Sequence, residues 1–232
     1  MSMDVRSNLE VVKGRIAEAA RRAGRNPADI RLVAVTKQVE PERIIEAARA
    51  GARIFGENYA QELRDKYEAV KGSVEEEVEW HFIGQLQRNK VKYLIGKVTL
   101  VHSLDSLSVA GEINKRAEKA GIKMPVLIET DTSGEESKGG LNAAEVGDFI
   151  AGLGEFSSIE VRGLMTMPPY FDQPELARPY FRKLRELRDE LSEQFPHLKE
   201  LSMGMSGDFE VAVEEGATLV RIGSAIFGPR PK

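Results

Sequence analysis

Three short stretches hold residues that could do chemistry together. In "RLVAVTK" (31–37) an apolar run rich in β-branched residues ends on Lys37. In "MGMSGDFE" (203–210) Ser206, Gly207 and Asp208 stand just ahead of a helix predicted to begin near Phe209. In "LVRIGSAIFG" (219–228) Arg221, Gly223 and Ser224 occupy the end of an apolar run. A neutral lysine amine adds to a carbonyl carbon. Hydroxyls and exposed backbone N–H groups, with a glycine that permits close approach, make an anion cradle. Strand side chains alternate, so Leu219, Arg221 and Gly223 share a face, and Arg221 points wherever Gly223 does. A buried guanidinium needs acceptors, which Glu129, Glu57 or a ligand could supply. Each residue alone also has a plain reading: a strand-end lysine is usually solvated, and a serine before a helix is usually a cap. Their meaning depends on whether the fold brings them to one place.

The rest of the chain supplies the elements that would do so. Short apolar runs at 31–37, 52–58, 79–84, 98–104, 125–131, 160–167, 201–205 and 218–224 read as eight strands. Between them lie charged, helically periodic stretches such as "PERIIEAARAG", "LSVAGEINKRAEKAG" and "LARPYFRKLRELRDELSEQF". This alternation predicts an α/β protein, a (β/α)₈ TIM barrel, with an amphipathic N-terminal helix and one domain over 1–232. An open doubly wound sheet is the alternative, but "VTKQVEP" lacks the glycine fingerprint expected after its first strand. In a barrel all strand C-termini share one rim, where Lys37, Asn58, Gly84, Ser103, Asp131, Met167, Ser206 and Ser224 would be neighbours. The loops after strands seven and eight are the usual phosphate site of that architecture. The segment "TDTSGEESKGGL" (130–141) reads either as a mobile loop over the mouth or as a solvated connection.

Composition removes several alternatives. A formal charge of −4, from 33 basic and 37 acidic residues, gives no basic face for nucleic acid. The absence of cysteine excludes disulfides, thiolate metal sites and a cysteine nucleophile. His81, His102 and His197 are too scattered to suggest a metal site. No run approaches a membrane span, and the N-terminal stretch lacks an apolar signal core, so a cytoplasmic protein is expected.

A lysine, a phosphate cradle and an inward arginine together suit a phosphorylated aldehyde held as a Schiff base. Pyridoxal 5'-phosphate (PLP) meets all three, its aldehyde on Lys37, its phosphate on the serine loops and its ring nitrogen facing Arg221. Beyond these residues, the ordered set "VAVTK", "FGENYAQE" (55–62), "WHFIGQLQRNK" (80–90), "ESKGGL" (136–141), "RGLMTM" (162–167), "LSMGMSGDFE" (201–210) and "VRIGSAIFG" (220–228) resembles the YggS/PROSC family over nearly the whole chain. That family consists of PLP homeostasis proteins built on the alanine racemase barrel. The resemblance implies that Lys37 carries the cofactor and that Ser206, Gly207, Gly223 and Ser224 hold its phosphate. It further implies that Arg221 faces the pyridine nitrogen, that Asn58 and Met203 line the ring's surroundings, and that His81 lies nearby.

It also implies a function in storing and delivering PLP, with apo PLP-dependent enzymes as recipients and little or no turnover. The racemases to which the chain is similar take a second base from a C-terminal β domain, which is not expected here because the sequence ends at "FGPRPK" after the eighth strand. A racemase-like PLP enzyme is the alternative, and a Schiff-base aldolase acting on sugar phosphates is a third reading. A monomer is expected, since no large apolar surface is evident.

Overall fold

In the computed structural model, which describes residues 4–134 and 139–229, period-two and period-three-to-four apolar patterns sort the chain into strands and helices as the sequence predicts. The strands are β1 (Arg31–Val35), β2 (Ile54–Glu57), β3 (Glu79–Phe82), β4 (Leu100–Leu104), β5 (Met124–Asp131), β6 (Leu141–Asn142), β7 (Ile159–Met165), β8 (Glu200–Ser202) and β9 (Leu219–Ile222). The helices are α1 (Val5–Arg22), α2 (Pro41–Arg49), α3 (Ala60–Val70), α4 (Leu107–Ala120), α5 (Val146–Gly152), α6 (Arg178–Ser192), α7 (Phe209–Glu214) and α8 (Ser224–Phe227).

All strand pairs are parallel, and the sheet closes through β4–β5, giving an eight-stranded (β/α)₈ barrel to which the two-residue β6 adds outside β5. All eight predicted strands form. One crossover departs from the pattern: between β3 and β4 the chain makes a 3₁₀ helix, Arg88–Tyr93, in place of an α-helix. Val91 is its buried residue, and with the flanking buried Leu86 and Leu94 it gives spacings of five and three, which do not make an α-helical stripe.

Alternation along the strands divides the core. Outward residues such as Phe55, Trp80 and Phe82 pack against the helices, with Phe55 and Trp80 ring centroids 5.5 Å apart. A separate apolar cluster of Val33, Ile54, Leu100, Leu127, Met165 and Leu219 lies inside the barrel. Helix α1 is capped by Asp4, which accepts from the Arg6 and Ser7 N–H groups. Its buried stripe of Val5, Leu9, Val12, Ile16 and Ala19 packs on α7, α8 and α2. Among the described residues no helix is long and apolar enough to cross a membrane.

Candidate functional site

The site begins with how the backbone around Lys37 is fixed. Directly after β1 the chain turns, the Val39 N–H donating to the Thr36 carbonyl at 2.9 Å. Gln38 within this turn has φ 59°, the one left-handed non-glycine among the described residues. Helix α3 holds the turn from outside. Lys66 Nζ donates to the Thr36 carbonyl (2.6 Å), to Glu57 Oε1 (2.7 Å) and to Glu62 Oε2 (2.7 Å), while Glu62 Oε2 accepts from the Gln38 N–H (3.0 Å). Thr36 Oγ1 donates to Glu57 Oε1 at 2.7 Å. Burial pushes the Glu57 carboxyl up, and Lys66 and Thr36 pull it back. Both residues flanking Lys37 are thus tied to one buried ionic cluster. Lys66 and Glu62 escape a sequence reading that looks only at strand ends; the signal was their i, i+4 spacing on a helix beside "FGEN".

At the same rim the two predicted anion loops meet. Ser206 Oγ accepts from the Gly223 N–H and the Ala225 N–H, each at 3.3 Å, joining the loop after β8 to the loop after β9. Met205 N–H donates to the Asp208 carboxylate at 2.6 Å and closes the first loop on itself. A Cβ added at Gly223 would meet the Val35 side chain and carbonyl at 3.4 Å, ordinary van der Waals contact.

A cavity of about 310 Å³ opens here, and Lys37, Asn58, Arg221, Ser206, Gly207, Gly223 and Ser224 all line it. Its outer wall is the apolar Met167–Pro168–Pro169–Tyr170 segment. Asn58 contributes a buried Oδ1 with no hydrogen-bond partner among the described residues. Seven of the nine predicted site residues therefore converge. The other two are placed elsewhere by strand alternation. Ser202 points into the barrel, so its neighbour Met203 points outward into the helix-facing core, and Met205 lines the cavity in its stead. His81 faces the barrel interior below the mouth, fully buried, with Nδ1 2.9 Å from His102 Nε2.

Arg221 is inward and buried, as predicted, but neither suggested carboxylate pairs with it. Nη1 donates to Ser202 Oγ at 2.5 Å and Nη2 to the Thr166 carbonyl at 3.0 Å. Glu57 faces the opposite side of the sheet, toward Lys66. Burial pushes the guanidinium down to about 10, against the opposing pull of Glu129 and Asp208, so it stays charged at neutral pH. Among the described residues the other three of its five N–H donors make no hydrogen bond, and Arg221 lines the cavity. Glu129, one strand-repeat above the interior Leu127, carries a carboxyl raised to about 7 by burial and then by Asp105, with Arg221 opposing. Its role was not legible in sequence, where it served only as a possible partner for Arg221.

Residues Glu135 to Lys138 of the predicted mouth loop lie outside the described residues. Before them, Asp131 accepts from the Ser133 N–H at 2.7 Å and the Gly134 N–H at 3.0 Å. Among the described residues no cluster of His, Asp and Glu could hold a metal ion.

Comparison with known proteins gives a consistent picture. The family described as alanine racemase, N-terminal domain, matches residues 7–231. A protein from Aquifex aeolicus named pyridoxal phosphate homeostasis protein is 51% identical, over 98% of this chain and 99% of its own. The crystal structure of an unknown protein from Bifidobacterium adolescentis superposes with a TM-score of 0.90 at 36% identity, covering 97% of this chain and 95% of that one. PipY of Synechococcus elongatus PCC7942, solved with PLP bound, has a TM-score of 0.80 at 32% identity, covering 92% of this chain and all of its own.

Proposed function

Because the chain belongs to the pyridoxal phosphate homeostasis proteins, the YggS/PROSC family, within the alanine racemase N-terminal domain family, we propose that it binds PLP in the barrel mouth and buffers or delivers it, without a turnover reaction of its own. The observation that supports this most is the convergence of Lys37, the joined Ser206 and Gly223–Ser224 loops, and Arg221 on one cavity.

The residues present fit the group. Asn58 Oδ1 is a buried acceptor lacking a donor, which a ligand hydroxyl or amine would satisfy. Arg221 has donors to spare for a ring nitrogen. The Ser206 hydroxyl draws the Gly223 and Ala225 N–H groups together at 3.3 Å, longer than the usual 2.9–3.0 Å, so a phosphate oxygen would make better use of them. When bound, PLP supplies an aldehyde that condenses with a neutral primary amine. Lys37 is the amine on the cavity wall, and the Lys66 cluster fixes the backbone from which it projects. An arginine facing the ring nitrogen gives up no proton to it, which keeps the ring a weak electron sink and suits storage. Release follows when an incoming amine, from a free amino acid or a recipient apo-enzyme's lysine, takes the place of Lys37. The protein acts as a monomer in the cytoplasm in this reading, with apo PLP-dependent enzymes as recipients.

The test is absorbance spectroscopy with PLP, borohydride reduction and peptide mapping. One reduced adduct on Lys37, absent from Lys37→Ala while reversible PLP binding persists, is the expected result. An adduct on another lysine, or undiminished adduct in the variant, would remove the proposal's basis. Racemase or transaminase turnover by the pure protein would overturn the carrier reading and leave the binding site standing.

A further inference from the structure

The barrel interior, generally filled by apolar side chains, here contains a polar chain that runs from the floor to Arg221. At the floor, Glu79 opens β3 with its side chain half exposed, and its Oε2 lies 3.7 Å from His81 Nε2. His81 Nδ1 is 2.9 Å from His102 Nε2, His102 Nδ1 is 2.8 Å from Ser202 Oγ, and Ser202 Oγ accepts from Arg221 Nη1 at 2.5 Å. Both imidazoles are buried, their rings tilted at 48° with centroids 5.0 Å apart.

The protons along this chain can be assigned by elimination. Each neutral imidazole has one N–H and one acceptor nitrogen, and a serine hydroxyl has one proton. Suppose first that His102 donates from Nδ1 to Ser202. Its Nε2 must then accept from His81 Nδ1–H, which turns the bare Nε2 lone pair of His81 toward the Glu79 carboxylate. The Ser202 proton would also have no acceptor, because His102 and Arg221 are the hydroxyl's partners among the described residues. The opposite sense leaves no such conflict. Ser202 O–H donates to His102 Nδ1, His102 Nε2–H donates to His81 Nδ1, and His81 Nε2–H points to Glu79, which His81 holds below the usual carboxylate range. Burial lowers both histidines, His102 strongly, so they remain neutral. Every hydrogen then points away from Arg221.

We propose that His102, backed by His81 and Glu79, is a positioning residue for Arg221: by taking the Ser202 proton it commits the Ser202 oxygen to the guanidinium and keeps the remaining N–H groups aimed at the cofactor's ring nitrogen. The direction of the chain stands on the hydrogen-bond geometry together with the neutrality of the two buried imidazoles; its consequence for the ring nitrogen rests on the PLP reading above. Without His102 the Ser202 proton has no acceptor below it and can rotate toward Arg221, donor against donor.

Side-chain ¹⁵N NMR of the ligand-free protein at neutral pH tests the direction, and three histidines make the spectrum simple. His81 and His102 should both be neutral Nε2–H tautomers with Nδ1 accepting. An Nδ1–H tautomer or an imidazolium at either position overturns the chain. The consequence is tested by binding PLP and the analogue whose ring nitrogen is replaced by C–H to wild type, His102→Leu and His102→Gln. His102→Leu should weaken PLP about tenfold, the worth of one strong hydrogen bond, and leave the analogue unchanged. His102→Gln, which retains an acceptor for the Ser202 proton, should recover most of the loss. Equal effects on both ligands, or none on PLP, would overturn the positioning role. If His102→Leu does not fold, His102→Gln and the tautomers still decide, since a Gln variant indistinguishable from a fully disrupted Arg221→Gln protein would contradict the proposal. Failure of wild type to form the Lys37 adduct would count against the PLP reading and leave the tautomer result intact.

Discussion

Two buried glutamates on neighbouring layers of the same barrel meet opposite fates. Glu57 points outward to α3, where Lys66 Nζ and Thr36 Oγ1 each bond its Oε1 at 2.7 Å and the Asn58 N–H reaches its Oε2 at 3.2 Å. Glu129 points into the mouth, where among the described residues no hydrogen bond or salt bridge reaches its carboxyl. Asp105 adds negative charge, and Arg221, the opposing cation, is bonded elsewhere. The first region is saturated, and it fixes the backbone on both sides of Lys37. The second retains unmet capacity at Glu129, at Asn58 Oδ1 and at Arg221. Unmet buried capacity costs folding free energy, so its concentration at one cavity indicates where a ligand is expected to supply the partners.

Breaking the saturated side should have the largest effect. Lys66→Met keeps the length of the side chain but leaves Glu57 buried without its cation, a loss of about 3–5 kcal/mol when one partner of a buried pair is removed. Denaturant midpoints should fall by that amount in ligand-free protein, with the Lys37 adduct forming more slowly because the Thr36–Gln38 backbone is released. A change below about 1 kcal/mol would show that the cluster is not the scaffold it resembles.

The same contrast explains what the sequence could reveal. All eight barrel strands were legible because each is an apolar run bounded by helical periodicity, and the convergence of Lys37, Ser206, Arg221, Gly223 and Ser224 followed once the strand ends were placed on one rim. Met203 faces the helices because strand alternation sets it opposite the inward Ser202, and the chain reaches the cavity only at Met205, after the turn at Gly204 (φ 91°). His81 carried its signal through a motif alone, and period two says only that it is inward, not how far below the mouth. Glu129 and Lys66 were not identified because their meaning depends on which partner is absent or present across the sheet, a property of tertiary packing with no local pattern.

Within the unsaturated side, Glu129 offers a pH-dependent test. Its folded value is raised from 4.5 to about 7, so the native state holds a proton that the unfolded state releases between those values. Stability from the neutral acid is fully present below 4.5 and is lost as pH rises through about 7. The shift corresponds to about 3 kcal/mol. Glu129→Gln should therefore match wild type near pH 4 and exceed it by up to about 3 kcal/mol near pH 8.5, read from urea midpoints at both values. Parallel stability curves would mean that a group outside the comparison compensates the charge.

A smaller effect is expected at the anion loops. Ser206→Ala should weaken PLP by about 1.5–3 kcal/mol, the worth of one bond to a charged phosphate, less what water restores. Pyridoxal, which lacks the phosphate, should bind as it does to wild type. Equal loss for both ligands would place the cradle elsewhere and remove this part of the mouth from the comparison.

The smallest effect is the sharpest, because its two readouts should move in opposite directions. Asn58 Oδ1 is buried and has no partner among the described residues, while the residue's backbone N–H is bonded to Glu57. Asn58→Ala keeps that backbone bond and removes the orphan acceptor, and the cavity beside it limits the packing that can be lost. If the asparagine were there for the fold, truncation would destabilise the free protein like any other polar deletion. If its oxygen waits for a ligand, the free protein should be as stable as wild type or more so, by up to about 1 kcal/mol, since an unsatisfied buried acceptor costs that order of free energy. PLP affinity should at the same time fall about fivefold, a loss of about 1 kcal/mol in binding. Thermal or urea unfolding beside equilibrium titration measures both quantities on one sample. Loss of stability with unchanged affinity would move Asn58 from the unsaturated region to the saturated one, and with it the boundary that Glu57 and Glu129 define.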